Sequence, residues 1–263
     1  MPGTLAGEEL IGMEPASNFA FEMSYCGSPP QMETLWTRWN FEPLLLSVLL
    51  IAAFAGSATL RNAGASRQWS FSAAWLGAAV LFISPLCALT VALFSARVGH
   101  HIALTMGVAP MLALALPPAW GRHLNLLPTL VVSTIALWIW HAPDIYAASF
   151  THPAIYWLMQ FSLLTSFTAF WLSLLRAENA VGVGVAALSG AMQMGLLGAL
   201  LVFAPGPLYL PHLATTAGFG LVPLEDQQLG GLIMWVPANL PLLALVLWRL
   251  IVMLQPAQRV SPR

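Results

Sequence analysis

The run Phe94–Pro118, FSARVGHHIALTMGVAPMLALALPP, decides how the rest of the chain is read. Two adjacent imidazoles, His100 and His101, open an apolar stretch that carries Met106 and Met111. A run near 20 apolar residues is long enough to cross a bilayer as a helix. The expectation is a membrane helix near 98–118 with two histidines at its mouth. Neighbouring helical residues point about 100° apart, so the two rings are expected to face different surroundings.

Composition agrees with a lipid solvent. Of 263 residues, 59% are hydrophobic and 7% charged, where soluble domains carry about a quarter charged. Membrane lipid is therefore an expected partner. The chain has no lysine; its nine basic residues are all arginine. That excludes a Walker-type phosphate loop and a retinal or pyridoxal Schiff base. Net charge is −1, and no basic cluster, dinucleotide fingerprint or nucleophile elbow is present, so no nucleic-acid partner is expected.

Seven spans are expected, near 43–60, 70–95, 98–118, 126–148, 153–175, 183–204 and 229–254. The fold class is all-α: a polytopic seven-helix transmembrane bundle forming one domain over 43–255. An acidic, partly disordered tail precedes it (1–42), and a short tail follows (256–263). Trp36 and Trp39 read as interface anchors. Pro153 suits a first helical turn; Pro85 and Pro110 should kink their spans, and Pro143 should bend or end the fourth. Ala191, Gly195 and Ala199 recur every fourth residue, which permits close helix contact.

Loop charge sets the orientation. One side carries Arg61, Arg67, Arg122, Arg176, Arg249, Arg259 and Arg263 against Glu178 alone; the other carries Arg38 and Arg97 with nine acids. The positive-inside pattern puts the N-terminus outside and the C-terminus in the cytoplasm. Five of six histidines then fall at the outer face: His100, His101, His141, His152 and His212, with only His123 inside.

Imidazole binds copper, zinc and iron, and thioether sulfur favours Cu(I). Any one of these histidines is better explained by interfacial hydrogen bonding to headgroups, loops or water; for the set that explanation weakens without disappearing, and a metal is the rival reading. Met106, Met111, Met192, Met194 and Met234 read as packing residues, since methionine fills core gaps. Two cysteines are too few for a disulfide framework. Cys87 reads as an inert apolar residue near mid-span, and Cys26 as an exposed thiol or a thiolate copper ligand. Before the last span, Glu225, Asp226 and Gln227 either cap a helix or form a hydrogen-bond shell that orients an imidazole.

These residues resemble a known family. Glu225-Asp226-Gln227-Gln228-Leu229-Gly230-Gly231 through Trp235-Val236-Pro237 is similar to the last-span signature of the CtaG-like cytochrome c oxidase assembly proteins. Trp138-Ile139-Trp140-His141-Ala142-Pro143 with Tyr146 and His152-Pro153 resembles the family's middle motif. His100-His101 with Val108-Ala109-Pro110 and Pro117 resembles its third-span motif. The likeness runs from about Tyr25 to the last helix. It implies a multi-pass plasma-membrane protein, not an enzyme, that helps mature a haem–copper oxidase, by the usual interpretation through copper supply. Relatives carry more histidine where this chain has Arg97, Tyr156 and Gln160.

The resulting expectation is an assembly factor that binds copper, as transient Cu(I), through His100, His101, His141 and His152, with Asp226, Glu225 and Gln227 behind them. It would pass the ion to a catalytic or copper-containing oxidase subunit. Two rivals stand beside it: a copper-permeation transporter of the copper-resistance type, and a metal-free scaffold for oxidase subunits. Permeation needs polar stations through the bilayer, and the expected span interiors carry no charge.

Overall fold

Proline and capping chemistry cut the chain into helices. The computed structural model describes residues 24–255. The acidic residues Glu8, Glu9, Glu14 and Glu22, the expected disorder of the early tail, and Arg259 and Arg263 lie outside the described residues. Helix α1 (Pro43–Leu60) starts on a proline whose missing amide proton leaves nothing unpaired. The Glu42 carboxylate accepts from the Leu44 and Leu45 amides at 3.1 and 2.7 Å, where the helix dipole favours an anion.

Helix α2 (Ala65–Ile83) breaks at Ser84-Pro85 into the short α3 (Leu86–Ala92), with a 50° bend. The kink expected at Pro85 is thus a full break. Asn40 covers the carbonyls it opens: its amide donates to Ile83 (2.8 Å) and its side chain to Phe82 (3.2 Å). After extended Leu93 comes α4, Phe94–Ala115. It begins earlier than expected, so Arg97 lies inside a span, buried, and not in a loop.

At Pro110 the helix runs on through a wider π turn, Ala103–Val108, in which the Ala109 amide reaches Leu104. In that register the Thr105 carbonyl faces Pro110, which has no N–H to donate. The Trp171 indole supplies the bond instead, at 3.0 Å.

Helix α5 (Leu126–His141) ends before Pro143, and α6 (Pro143–Thr151) leaves it at 73°. Then follow α7 (Pro153–Arg176), α8 (Ala180–Val202), α9 (Pro223–Trp235) and α10 (Leu240–Leu254). The final pair forms one span that starts at Pro223, so Glu225, Asp226 and Gln227 sit in its first turns. Five helical segments are long and apolar enough to cross a membrane, and seven if each bent pair is one span.

Helix α4 is the axis of the bundle, packed on α2, α7 and α9, whereas α1 lies at the edge against α2. Helices α8 and α9 cross most tightly at Gly198 and Gly231. A Cβ on either would lie 2.7 Å from the other's carbonyl oxygen. The crossing therefore uses Gly198, while Ala191, Gly195 and Ala199 line a groove beside it.

Cys26 and Cys87 form a disulfide, which overturns the reading of one as an exposed thiol and the other as an inert mid-span residue. Cys87 sits just after the Pro85 break, and the bond pins the 24–42 segment over that end of the bundle. Tyr25 stacks on Tyr156 at 4.9 Å, and the Tyr156 hydroxyl lies against both sulfurs. Cross-linking residues 61 positions apart restricts the unfolded chain.

Candidate functional site

The first turns of α4 present three polar groups to three different neighbours. Arg97 faces α6 and α7, His100 faces α2, and His101 faces α5. One element serves all three because successive side chains rotate by about 100°.

His100 lies edge-on to Phe82 at 5.2 Å, and His101 lies 5.9 Å from His100 between ring centres. His141, the last residue of α5, is 6.4 Å from His101. All three rings are buried. Neither nitrogen of His100 makes a well-formed hydrogen bond, nor does Nε2 of His101. His141 Nδ1 lies 2.7 Å from the Leu137 carbonyl. A carbonyl only accepts, so Nδ1 carries the proton and Nε2 the lone pair. The Tyr209 hydroxyl donates to the His141 carbonyl at 2.9 Å, holding the end of α5.

His152 stands apart, exposed, at the start of α7. The polar run of α9 hydrogen-bonds backbone and not imidazole. Asp226 accepts from the Phe94 amide at 2.6 Å and the Ser95 amide at 3.2 Å, and also from the Ser95 hydroxyl. It caps a helix, as one expectation had it, but the helix is α4 and not its own. Gln227 accepts from the Leu208 amide (2.7 Å) and donates to the Leu201 carbonyl (3.1 Å). Glu225 accepts from the Val222 amide at 3.2 Å. Among the described residues no three His, Cys, Asp or Glu side chains are arranged to hold one metal ion.

Sequence reasoning missed a second polar node. The buried Arg97 guanidinium lies 4.0 Å over Phe150, 5.3 Å from Tyr146 and 5.7 Å from Tyr156, and donates to Ser149 at 2.8 Å. Its Nε and Nη2 have no hydrogen-bond partner among the described residues. Ring faces help hold the charge by cation–π attraction, about 0.5–2 kcal/mol each. Tyr146 pairs with His212 Nε2 at 2.6 Å. Burial, then the Arg97 charge, push the His212 imidazole down to about 3, with the Ala92 carbonyl opposing. The available signal was spacing: Arg97 is one helical turn from His100 and His101.

The sequence reads Met194 and Met234 as packing residues. Both are buried, and both face the small cavity that His101 and His141 line. No sequence periodicity brings α8 and α9 to α4.

Among the described residues the chain is an all-helical bundle with five to seven helical segments of membrane-spanning length, the class of a polytopic membrane protein. The chain belongs to the cytochrome c oxidase caa3 assembly factor family, whose model matches residues 49–255. No curated protein matches it, and no solved structure does.

Proposed function

We propose that this protein supplies copper to an immature haem–copper oxidase subunit, the catalytic or copper-containing one, from a plasma-membrane bundle of seven spans. One observation carries the reading: His100, His101 and His141 are gathered from two helices into one buried row with no acid hydrogen-bonded to them. Burying the His100 nitrogens and His101 Nε2 without well-formed hydrogen bonds disfavours folding unless a ligand uses them. Family membership supports the oxidase as recipient. The role is that of a carrier, not a catalyst.

Disulfides persist in oxidising compartments. The Cys26–Cys87 bond lies at the same end as the histidines, which supports an outward-facing site, as does arginine excess at the opposite end. The test is copper in the oxidase purified from cells making wild-type protein or the His101→Ala/His141→Ala variant. The variant is expected to leave the oxidase copper-deficient at normal haem content. Equal copper in both would refute the role.

A further inference from the structure

We propose that His101, His141, Met194 and Met234 form a four-donor site selective for Cu(I), with one ligand from each of α4, α5, α8 and α9. This rests on the copper-supply reading, keeps the Cu(I) state expected from the sequence, and adds the ligand set and the place of the site inside the bundle. The four side chains line one internal cavity of about 10 Å³. That is roughly the room one water-sized sphere needs. Each of the four is buried; Met194 and Met234 are 2% and 1% exposed. The remaining wall is apolar apart from Thr105, whose hydroxyl is committed to the His101 carbonyl at 2.7 Å.

The donor set chooses the ion. Two imidazoles and two thioethers are soft or borderline and neutral, the combination that favours Cu(I) over hard cations. No carboxylate or thiolate lines the cavity, so a bound ion keeps its whole charge in a low-dielectric interior. That disfavours a divalent ion far more than a monovalent one. Arg97, one turn before His101 on the same helix, adds positive potential with the same bias. His141 already has the arrangement of a ligating imidazole: one ring nitrogen donates to a backbone carbonyl and the other holds its lone pair. The methionines are held by the Gly198–Gly231 crossing, which lies one turn beyond Met194 and one turn before Met234.

The experiment uses the full chain, purified in detergent, loaded anaerobically with Cu(I) and competed with a bidentate Cu(I) chelator. Zn(II) serves as a parallel probe. Wild type is expected to hold one Cu(I) and no Zn(II). Met194→Leu/Met234→Leu, close to isosteric, is expected to weaken Cu(I) binding at least about tenfold. A second readout needs no variant: selenomethionine-labelled wild type loaded with Cu(I) should show selenium neighbours in copper-edge X-ray absorption. Two results overturn the assignment separately. Cu(I) held equally by the methionine variant, without selenium neighbours, and lost only in His101→Ala/His141→Ala removes the methionines and leaves copper supply standing. Cu(I) held by no form of the protein removes both.

Discussion

Asp226 and Phe94, far apart in the chain, are joined by a 2.6 Å hydrogen bond from the Phe94 amide to the Asp226 carboxylate. The first turn of α9 therefore caps the first turn of α4. The helix that carries Arg97, His100 and His101 is held in position and register by a residue on the last span. Unpaired amides at a buried helix start would be expensive, and Leu93, at the N-cap position, has no side chain that can accept.

That cap predicts the effect of Asp226→Asn. One carboxylate oxygen becomes an NH₂ that faces amide donors. The expected loss is about 1–3 kcal/mol, read as a lower thermal midpoint in detergent. Ser95→Ala should lose less, since the backbone donors remain. A midpoint unchanged by Asp226→Asn would show that the cap is dispensable.

The Gly198–Gly231 crossing gives a paired steric test. Gly198→Ala places a methyl 2.7 Å from the Gly231 carbonyl oxygen. Helices α8 and α9 must separate, with an expected loss of about 1–3 kcal/mol. Gly184 lies on the same helix with nothing within 4 Å of a Cβ. Gly184→Ala is expected to be neutral or to stabilise by about 0.5–1 kcal/mol. Equal effects of the two on thermal unfolding would contradict the close approach.

His212 predicts a pH dependence. Its imidazole is lowered from 6.5 to about 3 by burial, then by Arg97, against the Ala92 carbonyl. The unfolded chain takes a proton below 6.5 while the folded one refuses it until about 3. Stability from the neutral ring is complete above 6.5 and falls as pH drops through that window. Between pH 6.5 and 5 the loss is about 2 kcal/mol, at about 1.4 kcal/mol per pH unit. Melting curves at pH 7.5 and 5 should show a smaller shift for His212→Gln than for wild type. Identical shifts would assign the acid sensitivity elsewhere.

The disulfide predicts no free thiol in denatured, unreduced protein. A maleimide–polyethylene glycol reagent should shift the band only after reduction. Cys26→Ser/Cys87→Ser is expected to lose about 2–4 kcal/mol, with protease cleavage appearing in the 24–42 segment. Labelling of both cysteines before reduction would rule the bond out.

Local chemistry by itself determined most helix breaks and starts, though not the early starts of α4 at Phe94 and of α9 at Pro223. Apolar length marks the spans, and prolines at 85, 143 and 153 act on their own neighbours through a missing N–H and a ring clash, so their breaks and starts were legible before any tertiary structure. The three motifs likewise carried the family. Only the tertiary structure decided that Cys26 meets Cys87, that Asp226 caps Phe94 and not its own helix, that His100, His101 and His141 turn inward while His152 stays out, and that Met194 and Met234 face the same cavity. Helical periodicity states which residues share a face. It does not state which neighbour that face meets, because in a membrane nearly every face is apolar and the choice is made by close packing and buried hydrogen bonds between segments remote in the chain.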